Sequence, residues 1–163
     1  MSINKITNSI FCLSIIILLF YLEGCSSNIS KDSKLNLRIE LKNGYAWLNF
    51  MPGENLTFHF KGSLDITNTG NDTVRNLELK EIDIFRDSEL IYKLNSAFLN
   101  TENNGGFNIP PQAKKLFAFR LPAGIKIIKE IRDASLIDAR FIFLAEGNEL
   151  EYEVKNIKVN KVY

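Results

Sequence analysis

A chain of 163 residues with 20 Lys and Arg against 19 Asp and Glu carries a formal net charge of +1. Its bases are scattered rather than striped along one face, so no strong field steers nucleic acid to it. Two Cys and one His leave little material for thiol or metal chemistry, while 12 Phe point to an aromatic core.

The chain begins with a polar stretch, Ser2 to Ser9, that includes Lys5. An apolar run of about 13 residues follows, Ile10 to Leu22, short of the roughly 20 needed to span a bilayer as a helix. Gly24, small enough for close approach by a peptidase, then precedes Cys25. The segment Leu22-Glu23-Gly24-Cys25 resembles the lipobox of bacterial lipoproteins, with Glu23 standing where that family usually carries a small or apolar residue. The resemblance implies cleavage before Cys25 and a diacylglycerol and fatty acyl group on its thiol and amine. The apolar run alone leaves open an uncleaved membrane anchor with the same topology. Residues 1–24 are thus expected to be a signal peptide, helical in its apolar part, and 25–33 a lipidated polar tether. The tether reaches at most about 28 Å when extended, which keeps the remaining domain close to its bilayer. Ser26 directly after the acylated cysteine further implies outer-membrane sorting if the host is diderm. Loss of residues 1–24 removes Lys5 and Glu23 together, so the net charge is unchanged, and Cys12 leaves as well. No thiol then remains for a disulfide or for nucleophilic catalysis.

Period-two alternation dominates from residue 34 to residue 163, a length suited to one domain. Leu35, Leu37, Ile39 and Leu41 make one strand, and Asn43-Gly44 predicts a tight hairpin turn into a second, Tyr45 to Phe50. Met51-Pro52-Gly53 closes it. Leu56, Phe58 and Phe60 share one face with Leu64 and Ile66, which makes a single long strand with a bulge or bend at Gly62. Asn68 to Asp72 is dense in turn formers. The apolar parity then moves from Leu77 and Leu79 to Ile82 and Ile84, which predicts a bulge near Lys80-Glu81. Leu90, Tyr92 and Leu94 form a short strand after an Arg86-Asp87-Ser88 turn. Residues 95–113 form a long break pinned to the core by Phe98, Phe107 and Ile109. Phe117, Phe119 and Leu121 resume the alternation, and Ile127, Ile128 and Ile131 suggest one or two helical turns between Ile125 and Asp133. Two strands, Leu136 to Ala145 and Leu150 to Tyr163, are joined at Gly147-Asn148.

Seven to nine strands with almost no helix predict an all-β fold, an antiparallel β-sandwich. The run from Leu64 to Val74 and its downstream alternation is similar to bacterial extracytoplasmic immunoglobulin-like domains. The stretch through Glu89 to Tyr92, Ile109-Pro110-Pro111 and Phe117 to Phe119 resembles the type-two late-embryogenesis-abundant sandwich. Both resemblances imply an immunoglobulin-like fold, and neither carries over catalytic residues.

His59 lies between Phe58 and Phe60 on the outward parity, without a sequence partner to orient it as a base or to share a metal. No Gly-x-Ser-x-Gly elbow or phosphate loop is present. Asp65, Asn68, Asn71 and Asp72 supply oxygen atoms but not calcium-loop spacing, and turn formation accounts for them. Glu149, Glu151 and Glu153 at period two read as a solvated strand face rather than a paired-carboxylate site. Catalytic residues, metal ligands and a dissociable cofactor are therefore not expected. Tyr45 and Trp47 share a parity opposite to Ala46, Leu48 and Phe50, so they are the candidate partner-binding residues if that strand is half exposed. The expectation is a membrane-anchored cell-envelope lipoprotein with a non-enzymatic interaction or structural module and an envelope protein partner. The alternative is a small-ligand or glycan-binding lipoprotein, which a deep aromatic pocket would favour and a flat surface would not.

Overall fold

The computed structural model describes residues 35–52, 55–96, 99–101 and 105–163. The expected signal peptide and tether, Cys25 and Phe98 lie outside these residues. The described strands are β1 (Leu37–Asn49), β2 (Thr57–Asn68), β3 (Val74–Arg86), β4 (Glu89–Asn95), β5 (Asn100–Thr101), β6 (Phe107–Ile109), β7 (Lys114–Arg120), β8 (Ile125–Lys126), β9 (Leu136–Ala145) and β10 (Asn148–Val162). One helical turn, α1 (Lys129–Arg132), precedes β9.

Hydrogen bonding runs β4-β3-β9-β10-β1-β2-β7-β5, with β6 on β3 and β8 on β2. All pairings are antiparallel except β1 beside β10, where Ala46 to Asn49 run parallel to Val159 to Val162. That parallel seam joins a β1–β2–β7 layer to a β4–β3–β9–β10 layer. The layers face each other through phenylalanines, since Phe141 of β9 lies 5.1 Å from Phe119 and 6.3 Å from Phe60. Phe143 meets Phe117 at 5.8 Å. Alternation places these rings inward, and burying each contributes roughly 1.5–3 kcal/mol. The architecture is the expected two-layered, all-β sandwich, mostly rather than wholly antiparallel, with seven long strands and three short ones, β5 and β6 in what read as a loop and β8 in what read as a helix.

The register of β10 against β9 slips between Val154 and Ile157. Asn156 takes a positive φ of 60° there, and its N–H donates to Asp138 Oδ1 at 2.8 Å. Beyond this bulge β10 pairs with β9 as far as Lys158, opposite Leu136 at the end of β9, and from Val159 to Val162 it pairs with β1.

The hairpin expected at Asn43-Gly44 does not form. β1 continues through both residues and pairs with β2 along its whole length, from Leu37 opposite Asn68 to Asn49 opposite Thr57. A type I′ turn needs two positive φ angles, and neither residue has one. Instead the register slips between Leu41 and Asn43, leaving Lys42 as an extra residue. That bulge explains why the inward parity changes from Ile39 and Leu41 to Ala46 and Leu48. The Leu41 N–H donates across the core to the Tyr152 hydroxyl at 3.0 Å. Gly62 sits opposite Gly44 and is not itself the bulge; a Cβ there would lie 2.4 Å from the Asn43 carbonyl oxygen and 2.7 Å from Phe119 Cζ. Close approach requires this glycine.

Elsewhere the alternation holds. The bulge expected near Lys80-Glu81 is found between Leu79 and Glu81, where β3 meets β9. The true tight turns are Asp87-Ser88 (φ 51° and 67°) and Glu146-Gly147 (φ 52° and 81°), the latter one residue earlier than expected. The long break is not structureless: Phe107 and Ile109 are buried on β6. The expected helix from Ile125 to Asp133 shrinks to α1, because Ile125 and Lys126 pair with Phe58 and Thr57 as β8. The isoleucine spacing fits a helix locally, but the open edge of β2 offers those backbone groups partners first.

Candidate functional site

Ala46 and Leu48 are fully buried, so the intervening side chains of β1 must point outward. Tyr45 is 53% exposed and Trp47 half-buried. The candidate pair therefore lies on the outer face of the β1–β2–β7 layer. Full-length β1–β2 pairing adds two residues that the sequence kept apart, placing Lys61 opposite Tyr45 and His59 opposite Trp47. The indole and imidazole stack, with centroids 4.7 Å apart and planes 4° from parallel. Lys61 Nζ lies 5.7 Å from the Tyr45 centroid and 5.5 Å from that of Trp47. Such ring stacks contribute about 0.5–1.5 kcal/mol beyond burial, and exposed cation–π contacts about 0.5–1 kcal/mol.

His59 is held on several sides. Its Nε2 shares a hydrogen bond with Thr57 Oγ1 at 2.9 Å. Gly124, at φ 66°, comes so close that a Cβ there would lie 2.6–3.0 Å from three atoms of the ring. The imidazole is thus a wall of the Trp47 stack, fixed in place by Gly124 and Thr57. This role was hidden by the false hairpin, which paired Trp47 with the wrong strand. The available signal was the parity change at Lys42, which fits a bulge as well as a turn.

The outer face of the β4–β3–β9–β10 layer is built differently. Pairing aligns Lys93, Asp83, Arg140 and Glu153 in one row across four strands, alternating in sign. Asp83 is 1% exposed and accepts from Arg140 Nη2 through Oδ2 at 2.8 Å. Its Oδ1 and Arg140 Nε are buried without a hydrogen-bond partner among the described residues. The hydrogen bond to Asp83 holds the Arg140 pKa above its ordinary value, and Glu151 at 3.5 Å adds to the effect. The Lys93 pKa is raised by its hydrogen bond to Glu81, at 2.8 Å, and by the charges of Glu81 and Asp83. Arg140 also stacks over Phe85 at 4.9 Å. Beside it opens a cleft of about 230 Å³, lined by Phe85, Ser88, Asp138, Arg140, Glu153 and Lys155 among others.

The remaining sequence candidates are engaged locally. The Asn68 amide donates to the carbonyls of Asp72 (2.7 Å) and Ile109 (3.0 Å), and its oxygen accepts the Gly70 N–H at 2.9 Å. Asp65 pairs with Lys114 at 2.7 Å. Glu149 pairs with Lys80, and Glu151 and Glu153 are exposed on β10. These contacts make turns and a solvated face, as their spacing suggested.

No family model matches the chain, and no curated protein matches it. Among solved structures it is similar to Northeast Structural Genomics Consortium target SoR45, at 14% identity and a TM-score of 0.46, over 77% of this chain and 86% of that one. It is also similar to the ASH / PapD-like domain of human CEP192 (PapD-like domain 7), at 10% identity and a TM-score of 0.37, over 85% and 93%. Likenesses this distant say nothing about what the chain does.

Proposed function

We propose that this chain is a membrane-anchored cell-envelope lipoprotein whose immunoglobulin-like sandwich is a non-enzymatic interaction module, with Tyr45 and Trp47 as its contact face. The observation that supports this best is the outward Tyr45–Trp47 pair, stiffened by His59 and capped by Lys61. Rigid aromatic side chains lose little conformational freedom on docking, which is why such residues dominate the energetics of protein contacts. The anchor rests on the apolar run ahead of Cys25, the site of lipidation in this reading. A tether of about 8 residues then confines the module to its bilayer and raises its effective concentration toward partners there.

The alternative, a small-ligand or glycan-binding lipoprotein, draws on a separate observation, the cleft beside Arg140 and Phe85. That cleft lies on the other layer from Tyr45 and Trp47. The aromatic face is the surface of a sheet, a shape suited to a macromolecular partner.

The test is recovery of partners from detergent-solubilised membranes with the full chain as bait. Trp47→Ala is expected to abolish stoichiometric recovery of an envelope protein while circular dichroism stays β-rich. In the same cells, fatty-acid labelling is expected to vanish in Cys25→Ala. Unchanged recovery with Trp47→Ala would overturn the contact face, and labelling that persists in Cys25→Ala would overturn the anchor.

A further inference from the structure

The strand register collects cations around the aromatic pair and keeps acids away. Lys61 stands opposite both Tyr45 on β1 and Arg120 on β7. Lys158 on β10 is exposed between buried Ile157 and Val159, one residue before the parallel register at Ala46, and so flanks Tyr45 from the other side. A single row across four strands therefore reads Lys158, Tyr45, Lys61, Arg120. Successive strands lie about 4.8 Å apart, so the three cations span roughly 14 Å. On the outward positions of these strands, from the level of Asn49 to that of Asn43, none of the described residues is Asp or Glu. The carboxylates on the same face lie toward the far end of β1 and β2 and are already paired, Glu40 with Arg38 and Asp65 with Lys114. On the connection leading into β9, Asp133 faces Lys161 at 3.9 Å. Lys61, Arg120 and Lys158 form no ion pair with a described residue.

In a chain whose formal net charge is only +1, this concentration is a local property created by pairing. Unneutralised cations beside rigid aromatics form a surface complementary to anions, and complementary potentials set partner choice and encounter rate. We infer that the partner of the Tyr45–Trp47 face presents an acidic protein segment, whose carboxylates align with Lys158, Lys61 and Arg120 while apolar side chains pack on Tyr45. This inference rests on the protein-binding reading of the same face. A protein segment fits better than a sugar because the cations lie along a flat sheet rather than around a pocket. An anionic lipid surface fits less well, since the Glu40 and Asp65 carboxylates share the sheet face that would have to lie on it.

The experiment measures binding of the full chain, held in neutral detergent, to labelled poly-L-glutamate. Polygalacturonate and short-chain phosphatidylglycerol serve as competing anions. Poly-L-glutamate is expected to bind most tightly and to be released as salt approaches about 1 M, where the screening length falls to about 3 Å. Lys61→Glu/Arg120→Glu is expected to weaken binding at least about tenfold. Lys42→Glu/Arg75→Glu, which changes the net charge equally but lies off the row, is expected to leave it nearly unchanged. Equal loss in both double variants would overturn the inference, as would tighter binding of the polysaccharide or the lipid. Partner recovery separates the two proposals. If Trp47→Ala abolishes recovery while Lys61→Glu/Arg120→Glu does not, the contact face stands and the acidic-partner inference falls. If neither variant matters, both fall.

Discussion

The outward faces of the two layers start from the same alternation of inward apolar and outward polar side chains, yet they arrange charge in opposite ways. Across β4, β3, β9 and β10 three cations find a carboxylate in or next to their register: Lys93 with Glu81, Lys80 with Glu149, and Arg140 with Asp83 and Glu151. In the row across β10, β1, β2 and β7, Lys61 meets the Tyr45 and Trp47 rings and stands opposite Arg120. Most exposed ion pairs contribute no more than about 1 kcal/mol, so stability hardly distinguishes the faces. The field each one projects does. The first carries charge pairs across its strands, whereas in the row of the second Lys158, Lys61 and Arg120 form no ion pair with a described residue. One pair stands apart, because Asp83 is buried and accepts a hydrogen bond from Arg140.

Arg140→Ala breaks the charge-paired face most deeply. It strands the Asp83 carboxylate in a buried site and is expected to cost about 3 kcal/mol in urea unfolding. Asp83→Leu/Arg140→Met removes both charges and is expected to recover most of that loss. The aromatic face should be unaffected, which the fluorescence of Trp47, the only tryptophan of the chain, reports directly.

Gly62→Ala attacks the other face through its scaffold. The added methyl must displace both the Asn43 carbonyl and the Phe119 ring, at about 2 kcal/mol for overpacking. Here the Trp47 emission is expected to shift, since Gly62 lies between the bulge at Lys42 and the Trp47–His59 pair. An unshifted spectrum would mean that the stack does not depend on the β1–β2 register.

The smallest effect concerns a link between the layers. The Tyr92 ring of β4 stacks on Phe58 of β2 at 5.5 Å. Its hydroxyl donates to the Lys126 carbonyl (2.8 Å) and accepts the Ile128 N–H (3.2 Å). Tyr92→Phe is expected to cost about 1 kcal/mol at neutral pH. Burial raises the Tyr92 pKa above its ordinary 10.0, partly opposed by the hydrogen bond from Ile128. The unfolded chain therefore ionises first: the contribution of the neutral phenol is intact below about pH 10 and is lost as pH rises through the folded value. Stability measured from pH 8 to 11 should fall less steeply in Tyr92→Phe than in the parent protein. Equal slopes would refute the burial argument.

Period-two alternation was enough to establish the all-β class, the inward set from Phe58 to Ile66, the bulge near Lys80 and the pinning of the long break by Phe107 and Ile109. These follow from side-chain parity, which is written in the sequence because each strand must turn one face to the core. The outward direction of Tyr45 and Trp47 was legible for the same reason once one side of their strand was assigned to the core. Parity does not reveal which strand lies beside which. A bulge and a hairpin both reverse it, and at Asn43-Gly44 the turn-forming residues suggested the hairpin while the long ladder with β2 produced the bulge. Ile125 and Lys126, expected at the start of a helix, join the edge of β2 by the same logic. Pairing alone decided that His59 backs Trp47, that Lys61 caps both rings, and that Asp83 meets Arg140 across 57 residues of chain. Those contacts depend on cross-strand register, and register is settled by many weak backbone and packing terms summed over whole strands rather than by any local stretch of residues.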